Sequence, residues 1–164
     1  LDRADALQSL GKAVLLSRFA EFHRASAFLN RCTNKPVGIV LSIGLLNELF
    51  KAKWSENLAG GLLESFGRLF KDRVTLHVFP WENRKSGEMV TAENFRPPAD
   101  CVHLYRHFLE NQRIHAIPYE DTDLLAYTGR TVCRMILAGD EKWRGMVPEV
   151  AWTMAERHAQ LRLS

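Results

Sequence analysis

The residues best suited to chemistry lie in one stretch near the amino end, Ala13 to Leu29. Ser17 and Arg18 follow a short apolar run, and His23 comes just before an expected helix start near Arg24. A parallel strand that leads into a helix through a short loop is a common phosphate-binding corner, because loop amides and the helix N-terminus carry partial positive charge. The pattern therefore predicts a site here. His23 could instead be a helix-start residue bonded to backbone, and Arg18 a solvated loop arginine.

Other reactive residues each have a plainer alternative. Arg130 and Arg134 lie one helical turn apart and could clamp a phosphate, or could form an exposed charged face. Cys133 has no adjacent histidine in sequence and is expected to be a buried apolar side chain rather than a nucleophile. His103 and His107 have the spacing of two metal ligands, but the glutamate of the HExxH pattern is missing. We therefore predict no metal site.

Composition indicates one globular domain spanning residues 1–164. Hydrophobic residues make up 46% and charged residues 25% of the chain, and the net charge of +3 is not concentrated in a stripe. Nucleic-acid binders usually concentrate basic charge on one face, so nucleic acid is not an expected partner. The longest uncharged apolar run, Val37 to Leu46, is about half as long as a membrane span. No transmembrane segment is expected.

The cysteines indicate a reducing, intracellular compartment. Cys32, Cys101 and Cys133 are odd in number, widely spaced and form no CxxC pair. Neither a disulfide framework nor a zinc site is therefore predicted. The sequence begins at Leu1, so an upstream targeting segment is allowed, and a mitochondrial address is compatible with it.

Alternating strands and helices are expected to position the corner. The predicted strands are Ala13–Leu16, Val37–Ile43 (buried on both faces), Val74–Phe79 and Ile114–Pro118. The predicted helices are Asp2–Leu10, Arg24–Asn30, Leu45–Lys53, a helix capped by Ser55 that runs to Lys71, a helix capped by Asp100 that runs to Leu109, Arg130–Leu137 and Glu149–Leu163. Trp81 to Asp100 is expected to be a long loop, where an exposed Trp81 would indicate a protein interface. The expected fold is α/β, a doubly wound, Rossmann-like parallel sheet with helices on both faces.

Two stretches resemble the nucleotidyltransferase superfamily, and within it the archaeal-type nicotinamide mononucleotide adenylyltransferases. SRFAEFHRASAFL (17–29) is similar to the family's Gly-Arg-Phe-x-Pro-Phe-His-x-Gly-His loop. YTGRTVCRMILAGDEKWRGMVPEV (127–150) is similar to its Tyr-Ser-Gly-Thr-x-Ile-Arg-Arg-Arg-Met tail and the following Trp and Val-Pro. The resemblance implies a nucleotidyltransferase-type fold. The nucleotide-binding residues that it implies are Arg18, Phe19, His23, Ser26, Thr128, Gly129, Arg130 and Arg134.

The departures from the family pattern favour a protein without efficient catalysis. Ser26 stands where the family has its second imidazole, Ala25 replaces a glycine, and Cys133 replaces an arginine. Loss of one preorganised donor typically lowers the rate ~100- to 1000-fold. Glu21 also places a carboxylate beside the expected anion site.

We therefore predict a degenerate accessory or structural subunit of a larger protein assembly, able to bind ATP or another nucleotide with Mg²⁺, or no cofactor. The alternative is an active adenylyltransferase that makes NAD from nicotinamide mononucleotide and ATP, with His23 as its catalytic residue. A small-molecule binding regulator is a third class.

Overall fold

The computed structural model describes residues 2–83, 86–119, 125 and 128–160. Contacts divide the chain into two compact units, residues 17–120 and residues 1–16 with 121–164. The helices are α1 (Asp2–Ser9), α2 (Phe22–Cys32), α3 (Ile43–Leu49), α4 (Gly61–Leu69), α5 (Val102–Glu110), α6 (Gly129–Leu137) and α7 (Trp152–Gln160). The strands are β1 (Val37–Ser42), β2 (Val74–Phe79), β3 (Trp81–Asn83), β4 (Glu88–Val90) and β5 (Ile114–Ala116).

The unit formed by residues 17–120 contains a three-stranded parallel sheet in the order β1-β2-β5. Val37 pairs with Val74, and Leu76 pairs with Ile114. The predicted strands at these three places and the mixed α/β class are confirmed. The finer expectation, a doubly wound sheet of the nucleotidyltransferase type, stays a prediction.

One face of this sheet packs against helices and forms the core. Successive strand residues point to opposite faces, and the alternate set on β2, namely Val74, Leu76 and Val78, is fully buried. Aromatic rings from the helices cover these residues; Phe66 of α4 lies 5.0 Å from the ring of Phe108 on α5. Burial of each such side chain stabilises the fold by about 1.5–3 kcal/mol.

The opposite face of the sheet is more open than the sequence predicts. β1 alternates between exposed positions and positions that are partly or, at Leu41, fully buried, and Val40 is 68% exposed. The expectation that this strand is buried on both faces is therefore wrong. β1 lies at an edge of the sheet, and its apolar run reflects β-branched composition rather than two covered faces.

The predicted strand at Ala13–Leu16 is also wrong. Residues 12–20 have no regular secondary structure, and Leu15 and Leu16 are 62% and 69% exposed. A strand needs a neighbour whose backbone pairs with its N–H and C=O groups, and apolar composition alone does not supply one.

Two predicted helix caps are replaced by other arrangements. The Ser55 hydroxyl donates to the Ala52 carbonyl (3.1 Å), and α4 begins only at Gly61. A short 3₁₀ turn at Ala99–Cys101 precedes α5, which has no side-chain cap.

The expected long loop contains the antiparallel hairpin of β3 and β4, in which Trp81 pairs with Val90.

The second unit contains α1, α6 and α7, close to the predicted helices. Trp143 is 2% exposed, and its ring lies 6.2 Å from that of Trp152 in an edge-on contact. The Arg144 guanidinium lies 5.1 Å from the Trp152 ring centre and pairs with Glu141 (3.0 Å) and Glu156 (3.3 Å). Among the described residues, no helix has the length and apolar character needed to cross a bilayer.

Candidate functional site

The N-terminus of α2 organises the candidate site. The helix begins at Phe22 after Glu21, which is its N-cap residue in an extended conformation. Phe19 packs against this helix: its ring lies 5.7 Å from the Phe28 ring and 5.6 Å from the Arg24 guanidinium. Arg18 is exposed. The irregular segment before α2 is therefore anchored by one aromatic side chain.

His23 lies inside the protein rather than on an open loop. Its side chain is 7% exposed, and Nδ1 lies 3.3 Å from the Ser65 hydroxyl of α4. Burial lowers the pKa of His23 below its usual range. The carboxylates of Glu21 and Glu64 oppose this shift, and the positive charges of Arg68 and Arg24 add to it. The ring is therefore neutral near pH 7, with one nitrogen donor and one nitrogen acceptor.

The Ser26 side chain is not placed to contact a bound phosphate as a second imidazole would. It has no exposed surface, and its hydroxyl donates to the His23 carbonyl (3.0 Å) one turn earlier in the same helix. The side chain at this position therefore serves the helix and its packing rather than a bound phosphate.

A cavity of about 280 Å³ opens beside His23, between α2, α3 and α4. We name it the α2–α4 cavity. Its lining residues come from one unit of the chain and are mainly apolar: Ala20, Glu21, Phe22, His23, Leu45, Glu48, Leu49, Trp54, Ser65, Phe66 and Leu69. This volume is at the lower end of small-molecule sites, which suits one ring system better than a whole dinucleotide.

The charged groups of the α2–α4 cavity are carboxylates. Glu48 pairs with Lys51 and with Lys53 (2.9 Å), and these hydrogen bonds lower its pKa to about 2. The pKa of Glu21 is lowered by a backbone hydrogen bond and further by Arg24, whose Nη1 lies 3.5 Å away. The lining contains neither lysine nor arginine. These residues do not fit a triphosphate, whose charge needs cations or oriented N–H groups.

Trp54 provides an unused donor at the cavity. Its indole Nε1 is buried, and within the described part of the chain it has no hydrogen-bond partner. Buried polar atoms of this kind are rare, since each costs about 1–3 kcal/mol when it is left unpaired. Nε1 has almost no accessible surface, so a ligand in the cavity would accept from it only after the indole turns.

The residues that resemble the family's tail motif, Thr128, Gly129, Arg130 and Arg134, belong to the unit formed by residues 1–16 and 121–164. The Thr128 hydroxyl accepts from the Thr131 backbone N–H (3.1 Å) and caps α6, which begins at Gly129. Arg130 and Arg134 are both exposed, and α6 buries Val132 and Cys133 instead. The buried state of Cys133 is confirmed. Tyr127 and the polar connection at 120–123 lie outside the described residues.

The histidine pair on α5 is exposed. Nδ1 of His107 lies 3.3 Å from the Asn111 amide nitrogen, and His103 is also at the surface. Among the residues that the structure describes, no group of three or more His, Cys, Asp or Glu side chains is placed to hold a metal ion.

Of the residues that line the α2–α4 cavity, sequence reasoning identified only His23 as a site residue, and it missed the polar and indole groups of Glu48, Trp54 and Ser65. These three lie far from His23 along the chain and reach the same cavity only through the packing of helices and turns that are separate in sequence. The one usable signal was Trp54, an aromatic residue inside the short polar segment between two amphipathic helices.

The comparisons with known proteins add no relatives. No family model matches the chain, and neither a curated protein nor a solved structure shows significant similarity to it.

Proposed function

We propose that this chain is a nucleotidyltransferase-like protein without efficient catalysis, which binds a neutral aromatic group in the α2–α4 cavity and acts as an accessory subunit of a larger assembly. The observation that carries the proposal is the character of the cavity. Its lining is mainly apolar and free of lysine and arginine, while the Ser26 hydroxyl is bonded within its own helix.

Nucleotidyl transfer depends on stabilising the charge that develops on the phosphates. Arg24, Lys51 and Lys53 pair with the cavity carboxylates Glu21 and Glu48 rather than lining the cavity themselves, and the neutral ring of His23 supplies no positive charge. The arrangement therefore supports binding without turnover.

The binding half of the proposal has its own support. Phe22 and Phe66 offer ring contacts, Trp54 Nε1 offers an unused donor, and the neutral ring of His23 offers a further polar contact. A purine or a nicotinamide ring combines a flat apolar face with acceptor atoms. A turn of the buried Trp54 indole would let such a ring accept from Nε1 and remain in contact with the aromatic side chains.

Exposed apolar residues support the accessory role. Trp81 on the β3–β4 hairpin is 51% exposed, and Phe79 at the end of β2 is 41% exposed. Tryptophan is enriched at the centres of protein interfaces. These side chains are therefore available to a protein partner.

Titration calorimetry with adenosine and with nicotinamide, joined to a coupled assay of NAD formation, tests the proposal. We expect one of the two compounds to bind without its phosphate, and no NAD to form from nicotinamide mononucleotide and ATP–Mg²⁺. Trp54→Phe, which removes the indole donor, should weaken binding about tenfold. The matched control, Trp81→Phe at an exposed tryptophan, should leave binding unchanged.

Two results would contradict the proposal. One is NAD formation that His23→Ala abolishes, which would identify an active adenylyltransferase. The other is equal binding by the Trp54→Phe and Trp81→Phe variants, which would remove the ligand from this cavity.

A further inference from the structure

A second cavity, of about 370 Å³, lies at the opposite edge of the sheet from the carboxyl ends of its strands. We name it the amino-edge cavity. Its lining combines polar side chains with four basic residues and one carboxylate: Asn30, Thr33, Lys35, Lys71, Asp72, Arg73 and Arg113, together with Asn34. Four basic residues and one carboxylate give this cavity an excess of three positive charges, which equals the net charge of +3 of the whole chain.

The fold brings these cations together because parallel strands begin at the same edge. Lys35, Arg73 and Arg113 precede β1, β2 and β5, which are neighbours in the sheet. The backbone confirms the alignment: Val37 N donates to the Arg73 carbonyl (2.9 Å), and Leu76 N donates to the Arg113 carbonyl (2.8 Å). Three residues that are far apart in sequence therefore share one rim.

Local contacts leave most of the positive charge uncompensated. The Asp72 carboxylate accepts from the Asn30 amide (3.1 Å), and Arg113 Nη1 donates to the carbonyls of Asp72 (3.2 Å) and Val74 (3.4 Å). Within the described residues, no ion pair involves Lys35, Lys71, Arg73 or Arg113. A concave surface lined by one sign of charge focuses the field and attracts counter-charges.

Helix ends explain part of this pattern. α2, α4 and α5 all end at this edge, and the partial negative charge of a helix C-terminus favours nearby cations. That effect acts on each cation separately and does not require a cavity between them. The combination of a cavity with four cations and amide donors is what a multiply charged anion needs.

We propose that the amino-edge cavity binds a small polyanion that carries two or more phosphate groups. The lining contains no aromatic side chain on which a base could stack, and the basic residues form a dish rather than a stripe, which favours a compact phosphate compound over a nucleic acid. The site is separate from the α2–α4 cavity and does not depend on the function proposed for it.

Calorimetry of the whole chain with sodium tripolyphosphate tests this site. Lys71→Gln and Arg73→Gln should each weaken binding about tenfold, since each removes a charge-assisted hydrogen bond. Arg106→Gln removes the same charge from an exposed position on α5 and should leave affinity within about twofold. Trp54→Phe should also have no effect, which separates this site from the α2–α4 cavity.

Several outcomes would overturn the proposal. One is the absence of tripolyphosphate binding, and another is equal affinity in all variants. A third is lower thermal stability of Lys71→Gln and Arg73→Gln without a change in affinity, because that result would assign these cations to the helix ends alone. Two further arms address other sources of phosphate. Binding to vesicles of phosphatidylcholine with phosphatidic acid but not to free tripolyphosphate would identify a lipid surface, and tighter binding of a single-stranded DNA oligonucleotide through the same residues would identify a nucleic acid.

Discussion

Replacement of Ser26 by histidine would give α2 the second imidazole of the family pattern, and it is the sharpest test of how this helix is built. The structure predicts that the substitution destabilises the protein and restores no activity. Ser26 has no exposed surface, and its hydroxyl donates to the His23 carbonyl. A larger polar ring at this position must displace its neighbours or push the helix outward.

The size of the effect follows from two contributions. Forcing extra volume into a packed site costs about 1–3 kcal/mol, and loss of the hydroxyl bond costs about 0.5–1.5 kcal/mol. We expect the free energy of unfolding to fall by about 2–4 kcal/mol. Ser9→His is a matched control, since the Ser9 hydroxyl makes the same kind of bond, to the Asp5 carbonyl (2.9 Å), but is exposed. Surface substitutions usually change stability by ~0.5 kcal/mol or less.

Urea unfolding followed by circular dichroism measures both variants against the parent chain. Equal unfolding midpoints for Ser26→His and Ser9→His would refute this prediction. Formation of NAD from nicotinamide mononucleotide and ATP by Ser26→His would also refute it, because position 26 would then face the substrate.

Three further predictions concern pH, a helix cap and a buried tyrosine. Because burial lowers the pKa of His23, the unfolded chain binds the proton more tightly, so the free energy of unfolding should fall as pH drops from about 7.5 through the unfolded-state pKa near 6.5. His23→Gln should reduce this dependence of the unfolding free energy on pH, which urea unfolding at several pH values measures. Thr128→Ala removes the acceptor for the Thr131 N–H and should lower the protection of α6 amides from hydrogen exchange by about 1 kcal/mol, whereas Thr128→Ser should retain it. Tyr105→Phe removes the buried bond from the Tyr105 hydroxyl to the Ala92 carbonyl (2.6 Å) and should cost about 1–3 kcal/mol in thermal unfolding, and an unchanged midpoint would refute this.

The strands and helices with clear periodicity could be predicted from sequence. Val74–Phe79 was placed at its observed bounds because its alternation matches the two faces of a sheet. Ala13–Leu16 was misplaced because an apolar run does not reveal whether a neighbouring strand exists to pair with it. Ser55 failed as a predicted cap because α4 begins only at Gly61, so the first N–H groups of the helix lie too far along the chain for the Ser55 oxygen to accept from them, and its hydroxyl donates to the Ala52 carbonyl instead.

The candidate site could be predicted only in part. Sequence pointed to His23 and the start of α2, which line the α2–α4 cavity. It did not reveal that Ser26 is buried, that Ser65 lies beside His23, or that Trp54 lines the same cavity, since these facts depend on tertiary packing. The amino-edge cavity was missed because the net charge is small and its basic residues, Arg73 among them, are scattered along the chain and meet only in the sheet.

The most direct test of the central claim compares adenosine with ATP–Mg²⁺ as ligands of the α2–α4 cavity. Calorimetry is done on a Lys71→Gln/Arg73→Gln double variant, because these substitutions weaken phosphate binding at the amino-edge cavity, and nicotinamide riboside with nicotinamide mononucleotide provides the parallel pair. Because the lining of the α2–α4 cavity lacks cations, the phosphates should add nothing, and each phosphorylated compound should bind no more tightly than its parent. Binding of ATP–Mg²⁺ or the mononucleotide at least tenfold tighter than its parent compound would contradict the account.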